Sequence, residues 1–248
     1  MQMELKQLSD EQLSEFDTDD MFVERWNLIT QCIDRDFPDG KFCFLDLGGG
    51  NGIFTDRLLY RYPEARAVVL DNSELLIRRN KPNPRKTILL ASVEDMEAKL
   101  AGQQFDIVFM NWLLHHLVAD SYAQTRENVR SAVGLARRHL TPKGRVSVFE
   151  NLCDGILLDG LPSYLIFYIS SSRWLAPLTK KLGANTAGVG VCYRSERQWL
   201  ALFSSVGLRA VSSQAEKEPW YIPTFKKVLL YVLHIRDLKA NLFWLKAG

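Results

Sequence analysis

One short stretch limits what this chain can become. Phe42-Cys43-Phe44-Leu45-Asp46-Leu47 is a near-continuous apolar run, and Gly48-Gly49-Gly50-Asn51-Gly52 follows it at once. Such a run, bounded by glycine, reads as a strand buried on both faces, the strand type of parallel sheets. The glycines let the backbone turn sharply and approach a ligand closely. Residues 55–62 behind them read as a helix. Strand, glycine turn and helix open a doubly wound α/β fold, whose ligands lie over the carboxyl ends of the strands.

The rest of the chain keeps that rhythm. Residues 67–71, 87–90, 105–110 and 145–150 read as strands, with helices at 74–80 and 127–140. Residues 195–206 form a last long helix stopped by Gly207, and 210–214 and 228–234 read as two late strands joined without a helix. The expectation is an α/β fold: a doubly wound, mostly parallel seven-stranded sheet with an antiparallel edge hairpin, Rossmann-like. Before the first strand, Ser9-Asp10-Glu11-Gln12 fits a capping box, and Phe22, Trp26, Ile29 and Ile33 recur at helical spacing over residues 19–35. Residues 1–38 therefore read as an N-terminal helical lid, and 39–248 as the main domain. Residues 151–192 break the alternation and read as a substrate-side insert.

Composition narrows the function. Lys and Arg number 31 and Asp and Glu 29, with no basic tail, which argues against a nucleic-acid partner. Cys32, Cys43, Cys153 and Cys192 are scattered without a C-x-x-C pair, so they read as reduced thiols in a cytoplasmic protein, and no metal site is expected. The polar stretch 1–20 does not look like a secretion signal, and no run of 18 apolar residues is present, so stable membrane insertion is not expected. The chain reads as a monomer or homodimer.

The glycines are spaced G-x-G-x-G over Gly48, Gly50 and Gly52, unlike the G-x-G-x-x-G of dinucleotide folds. Asp71 ends the second strand, 19 residues after Gly52, where an acid receives ribose hydroxyls. With Asp46 before the glycines, Asn111-Trp112-Leu113-Leu114-His115-His116-Leu117 after the fourth strand and Leu140-Thr141-Pro142-Lys143-Gly144 before the fifth, the chain resembles the class I S-adenosylmethionine-dependent methyltransferases over about residues 40–150. The resemblance implies S-adenosylmethionine as cofactor, held by Asp46, Gly48, Gly50, Gly52, Asp71, Asn72 and Asn111. Ser92 and Val93 stand where the family often has an adenine-binding acid.

The acceptor is expected to be a small, apolar or aromatic molecule, methylated on oxygen, nitrogen or carbon. Aromatic density outside the alternating core singles out Trp26, Trp112, Tyr164 and Tyr168 as substrate contacts, with Phe16, Phe22 and Phe167 closing over the acceptor. His115, His116 and Glu150 follow strands four and five and are the candidate bases, His115 being nearer the strand end. Three other readings stand beside this one. A nucleoside or tRNA methyltransferase would use shape recognition. A nicotinamide oxidoreductase is opposed by the glycine spacing. A non-catalytic partner would keep the cofactor fold as scaffold.

Overall fold

The computed structural model describes residues 3, 5–15, 23–217 and 224–248. Phe16 and Phe22, expected in the lid, lie outside the described residues. The chain runs α1 (Asp10–Ser14), α2 (Val23–Asp36), β1 (Cys43–Leu47), α3 (Ile53–Arg61), β2 (Arg66–Asp71), α4 (Glu74–Ile77) and β3 (Lys86–Leu90). It continues with α5 (Met96–Leu100), β4 (Phe105–Asn111), α6 (Tyr122–Arg138), β5 (Leu140–Gly155), α7 (Gly160–Ser171), α8 (Ala176–Lys181) and α9 (Glu196–Ser205). It closes with β6 (Leu208–Ala215), α10 (Thr224–Val232) and β7 (Ile235–Ala247).

The strands form one seven-stranded sheet in the order β3-β2-β1-β4-β5-β7-β6. The pairs from β3 to β5 are parallel. β7 runs antiparallel to both β5 and β6. The chain builds outward from β1 to β3, then returns to lay β4 on the other side of β1. That reversal opens a crevice above the carboxyl ends of β1 and β4.

Strand alternation sorts side chains to two faces. Leu45, Val108, Met110, Phe243 and Leu245 meet α5, α6 and α9 on one face. Phe44, Ile107, Phe109, Leu242 and Trp244 meet α2 and α3 on the other. Ile29 and Ile33 of α2 are fully buried there, so α2 is a wall of the core. Of the described residues within 1–38, only the strap before α1 and α1 itself reach the crevice.

Several sequence expectations change: the helix read over 74–80 ends at Ile77, and the strand read over 145–150 runs from Leu140 to Gly155, into the expected insert. The helix expected from residue 127 starts at Tyr122, because the Ser121 hydroxyl accepts the Gln124 N–H at 3.1 Å and caps it there. Residues 228–234 were expected as a strand but belong mostly to the helix α10; a short apolar run has no period that separates helix from strand. The late strand is β7, whose Leu242-Phe243-Trp244-Leu245 run is core and offers no apolar surface. β6 and β7 are antiparallel neighbours as expected, but α10 joins them. Among the described residues no helix is long and apolar enough to cross a membrane.

Asp36, the last residue of α2, fastens that helix to the sheet. Its carboxylate accepts from Arg145 Nε at 2.6 Å and from Trp244 Nε1 at 2.9 Å, with Arg35 Nε at 2.6 Å. Burial alone would push this acid up, but the bonds from Arg35, Trp244 and Arg145 outweigh it and hold it at about 2. An unfolded Asp titrates near ~3.9. The stabilisation is therefore present above that value and is lost as pH falls toward 2. Asp36→Asn should cost about 1–3 kcal/mol at pH 7 in denaturant unfolding. It should also flatten the acid loss of stability between pH 4 and 2; an unchanged acid profile would remove Asp36 as the fastener.

Candidate active site

β1 delivers the chain to the crevice, and the turn that follows is fixed by hydrogen bonds from both sides. Gly48 N–H donates to the Leu70 carbonyl at 2.7 Å. Gly50 N–H donates to Asp71 Oδ2 at 2.9 Å, and Ser73 N–H to Asp71 Oδ1 at 2.8 Å. Asn80 Nδ2 donates to the Gly50 carbonyl at 2.8 Å. Gly48 and Gly50 have φ of +74° and +50°, a region that side chains with a Cβ rarely occupy. A Cβ at Gly48 would also stand 2.8 Å from Leu113 Cδ1. Glycine here is required by conformation and by space.

Two carboxylates sit under this turn. Asp46 is buried and accepts from Thr55 Oγ1 at 2.6 Å. Burial, with Asp71 nearby, raises it to about 6 against the opposing Thr55 bond and Lys86. Asp71 is also raised, by burial, against its bonds from Ser73 and Gly50. Lys86 Nζ reaches Asp56 Oδ1 at 2.7 Å behind the turn.

Over the turn lies a cavity of about 280 Å³. Asp46, Gly48, Gly50, Asp71, Asn72 and Asn111 all line it. Gly52 stands behind it as the N-cap of α3. Ser92 and Val93 are not on its wall: the Ser92 hydroxyl donates to Asp95 Oδ2 at 2.9 Å, and Val93 is packed in the core. Both amide atoms of Asn111 are buried with no hydrogen-bond partner. A buried unpaired amide carries a desolvation cost of about 1–3 kcal/mol that a ligand would relieve.

The chain leaves β4 through Trp112, whose φ of +50° is left-handed and strained for a residue with a Cβ. Its N–H donates to the Phe149 carbonyl at 2.8 Å, and its Nε1 to Asn151 Oδ1 at 3.1 Å. This break turns residues 113–117 across the cavity. His116 lines the wall, while His115 lies behind it. The sequence put His115 nearer the pocket; the single 3₁₀ turn over Leu114–His116 reverses that order. His115 Nδ1–H donates to Glu150 Oε2 at 2.6 Å, and Leu114 N–H to Oε1 at 2.7 Å. Glu150 is fully buried and off the cavity wall. The two imidazole rings stand 4.0 Å apart. Burial, with His115 alongside, holds His116 well below the ordinary imidazole value.

The expected substrate aromatics are dispersed. Trp112 lines the cavity. Trp26 does not; it meets Phe54, which does, edge to face at 6.4 Å, and the Arg57 guanidinium covers it at 4.6 Å. Tyr164 and Tyr168 pack on each other at 4.5 Å on α7, half exposed and away from the wall. The apolar roof instead comes from Leu5, Leu8 and Leu13, which sequence reasoning missed. Three leucines in a polar stretch give no periodic signal. Phe54, Ser73 and Leu76 were missed too, though Phe54 and Ser73 flank the glycine turn and Asp71.

A family model described as a methyltransferase domain matches residues 45–148. An uncharacterized methyltransferase of Mycobacterium tuberculosis (strain ATCC 25618 / H37Rv) is 31% identical over 116 residues, 47% of this chain and 54% of that protein. The chain thus spans about half the length of the curated relatives it matches. The cyclopropane synthase MmaA2 from M. tuberculosis has a similar structure, with a TM-score of 0.60. It is 15% identical and the likeness covers 97% of this chain and 95% of that one. CalO1, a methyltransferase in calicheamicin biosynthesis solved in its SAH bound form, matches at a TM-score of 0.53 and 17% identity over 90% of this chain and 56% of that one. At these identities the structures speak for the fold, and the sequence match speaks for the domain. The matched span, residues 45–148, thus resembles a methyltransferase domain, and the strand order and the glycine turn over Asp46 and Asp71 agree with the fold of the solved structures.

Proposed function

We propose that the chain moves a methyl group from S-adenosylmethionine to a small, apolar acceptor in the cavity beneath residues 5–13. The observation that carries this reading is Asn111, a buried amide with both atoms unpaired, on a wall shared with the glycine turn and Asp71. The donor set suits the cofactor. The glycine turn brings the chain close to the cavity, and the start of α3, whose Ile53 and Phe54 line it, turns a helix N-terminus toward a carboxylate. Asp71 keeps spare lone pairs for a ribose diol, since each carboxylate oxygen accepts more than one bond. Asp46, ionising near pH 6, places negative charge by a cationic ligand.

When bound, S-adenosylmethionine supplies a methyl already activated on a cationic sulfur. What remains for the chain is to bind, align and exclude water. Leu5, Leu8, Leu13, Leu113 and Leu117 give the cavity an apolar lining suited to an apolar acceptor. His116 is the one imidazole on that wall among the described residues. Its lowered basicity keeps it neutral at pH 7, ready to accept a proton from an acceptor hydroxyl. Glu150 acts one step back: it fixes the His115 ring and the 113–116 backbone, and so positions His116. The scattered free thiols fit a reducing compartment such as the cytoplasm.

Calorimetry should show S-adenosylmethionine binding and no NAD binding. Asp71→Ala and Asn111→Ala should each weaken the cofactor by about 1–3 kcal/mol, the cost of stranding a buried polar partner. Unchanged affinity in both would remove them from the site. For an acceptor that must lose a proton, His116→Ala should lower turnover about 10²–10⁴-fold at saturating cofactor. The low basicity of His116 sets the sign of the pH profile: turnover stays flat as pH falls through the ordinary imidazole range and declines only well below it. Full turnover in His116→Ala would mean that no proton passes through it.

A further inference from the structure

The insert holds a surface that the cavity does not use. Trp174 stands at the corner between α7 and α8 and is 96% exposed. Leu175, Leu178 and Leu182 follow at spacings of three and four along α8, all exposed, so they form one outward stripe beside it. Arg173 precedes the tryptophan, and Lys180 and Lys181 lie at the other end of the stripe. Residues 160–195 contain no Asp or Glu at all.

We propose that this corner docks on an anionic lipid surface. Three observations favour that occupant. A tryptophan exposed on nearly all sides packs against no protein neighbour, and bilayer interfaces accept such a ring without a shaped pocket. The aliphatic stripe beside it has the short amphipathic form of interfacial anchors. Arg173 at one end and Lys181 at the other, in a sequence segment free of acids, match the negative potential of anionic headgroups, while Lys180 is paired with Glu11.

The corner is also tied to the cavity roof. Lys180 Nζ lies 3.1 Å from Glu11 Oε1, and Gln12 Nε2 donates to the Asn185 carbonyl at 2.7 Å. Both acceptor-side partners belong to α1 or contact it, and Leu13 of α1 lines the cavity. Docking would therefore bring the cavity roof to the lipid surface. The docking itself does not depend on methyl transfer, so the two proposals fail separately.

The test is flotation of the full chain with vesicles, without cofactor. The chain should co-float with phosphatidylcholine vesicles containing about one-third phosphatidylglycerol and not with pure phosphatidylcholine, and added salt should release it. Trp174→Ala should lower partitioning about ten-fold. Arg173→Gln and Lys181→Gln should each lower it about five-fold. All three sites are exposed, so thermal unfolding should match the parent and confirm that each variant is folded. No binding to anionic vesicles, equal binding to neutral ones, or unchanged partitioning of Trp174→Ala would overturn the proposal. So would a parent dimer that Trp174→Ala splits on gel filtration, which would assign the corner to a second copy of the chain.

Discussion

The carboxylate of Asp71 is the fixed point of this structure. It sits at the end of β2 and takes N–H groups from Gly50 and Ser73, one on each oxygen. One bond holds the glycine turn, and the other sets the entry to α4 through its N-cap Ser73. Hydrogen bonds to a charged group contribute about 1.5–3 kcal/mol each. They offset the burial that raises this acid. The turn they hold arches over Asp46, and the position of α3 follows from the turn.

The opposite wall depends on a second device. At Trp112 the backbone enters the left-handed region, a local strain that the Phe149 carbonyl and the Asn151 amide hold in place. The strain redirects the chain across the crevice just after Asn111. Glu150, from the neighbouring strand, then holds the new direction through Leu114 N–H and His115. The outcome is that a neutral imidazole and an unpaired amide face the glycine turn across one cavity. The sheet supplies the elements and the reversal of strand order supplies the gap. Two short irregular segments supply the polar groups that line it.

What could be read from the sequence follows from how local each feature is. The Phe42–Gly52 unit and Asp71 were legible because a buried strand, a glycine turn and an acid at a strand end each have a local physical cause. Asn111 was legible only through the resemblance; nothing in its neighbours shows that its amide lacks a partner. The order of His115 and His116 was not legible, since adjacent residues on an irregular turn can face either way. Tyr164 and Tyr168 misled because aromatic density marks surfaces as well as pockets, and they lie half exposed on α7. The Leu229–Leu233 run misled because apolar residues without polar interruption fit a helix as well as a strand. The roof of Leu5, Leu8 and Leu13 was invisible because only the tertiary fold brings it over β1 and β4.

The central claim is that the cavity over the glycine turn is built for S-adenosylmethionine. The most direct measurement is a crystal structure of the chain with S-adenosylhomocysteine. The ligand should lie over Gly48–Gly50, with its ribose hydroxyls on Asp71 and the Asn111 amide paired with the ligand or a water it holds. A ligand bound elsewhere, or one seated there while Asn111 keeps both amide atoms unpaired, would contradict it.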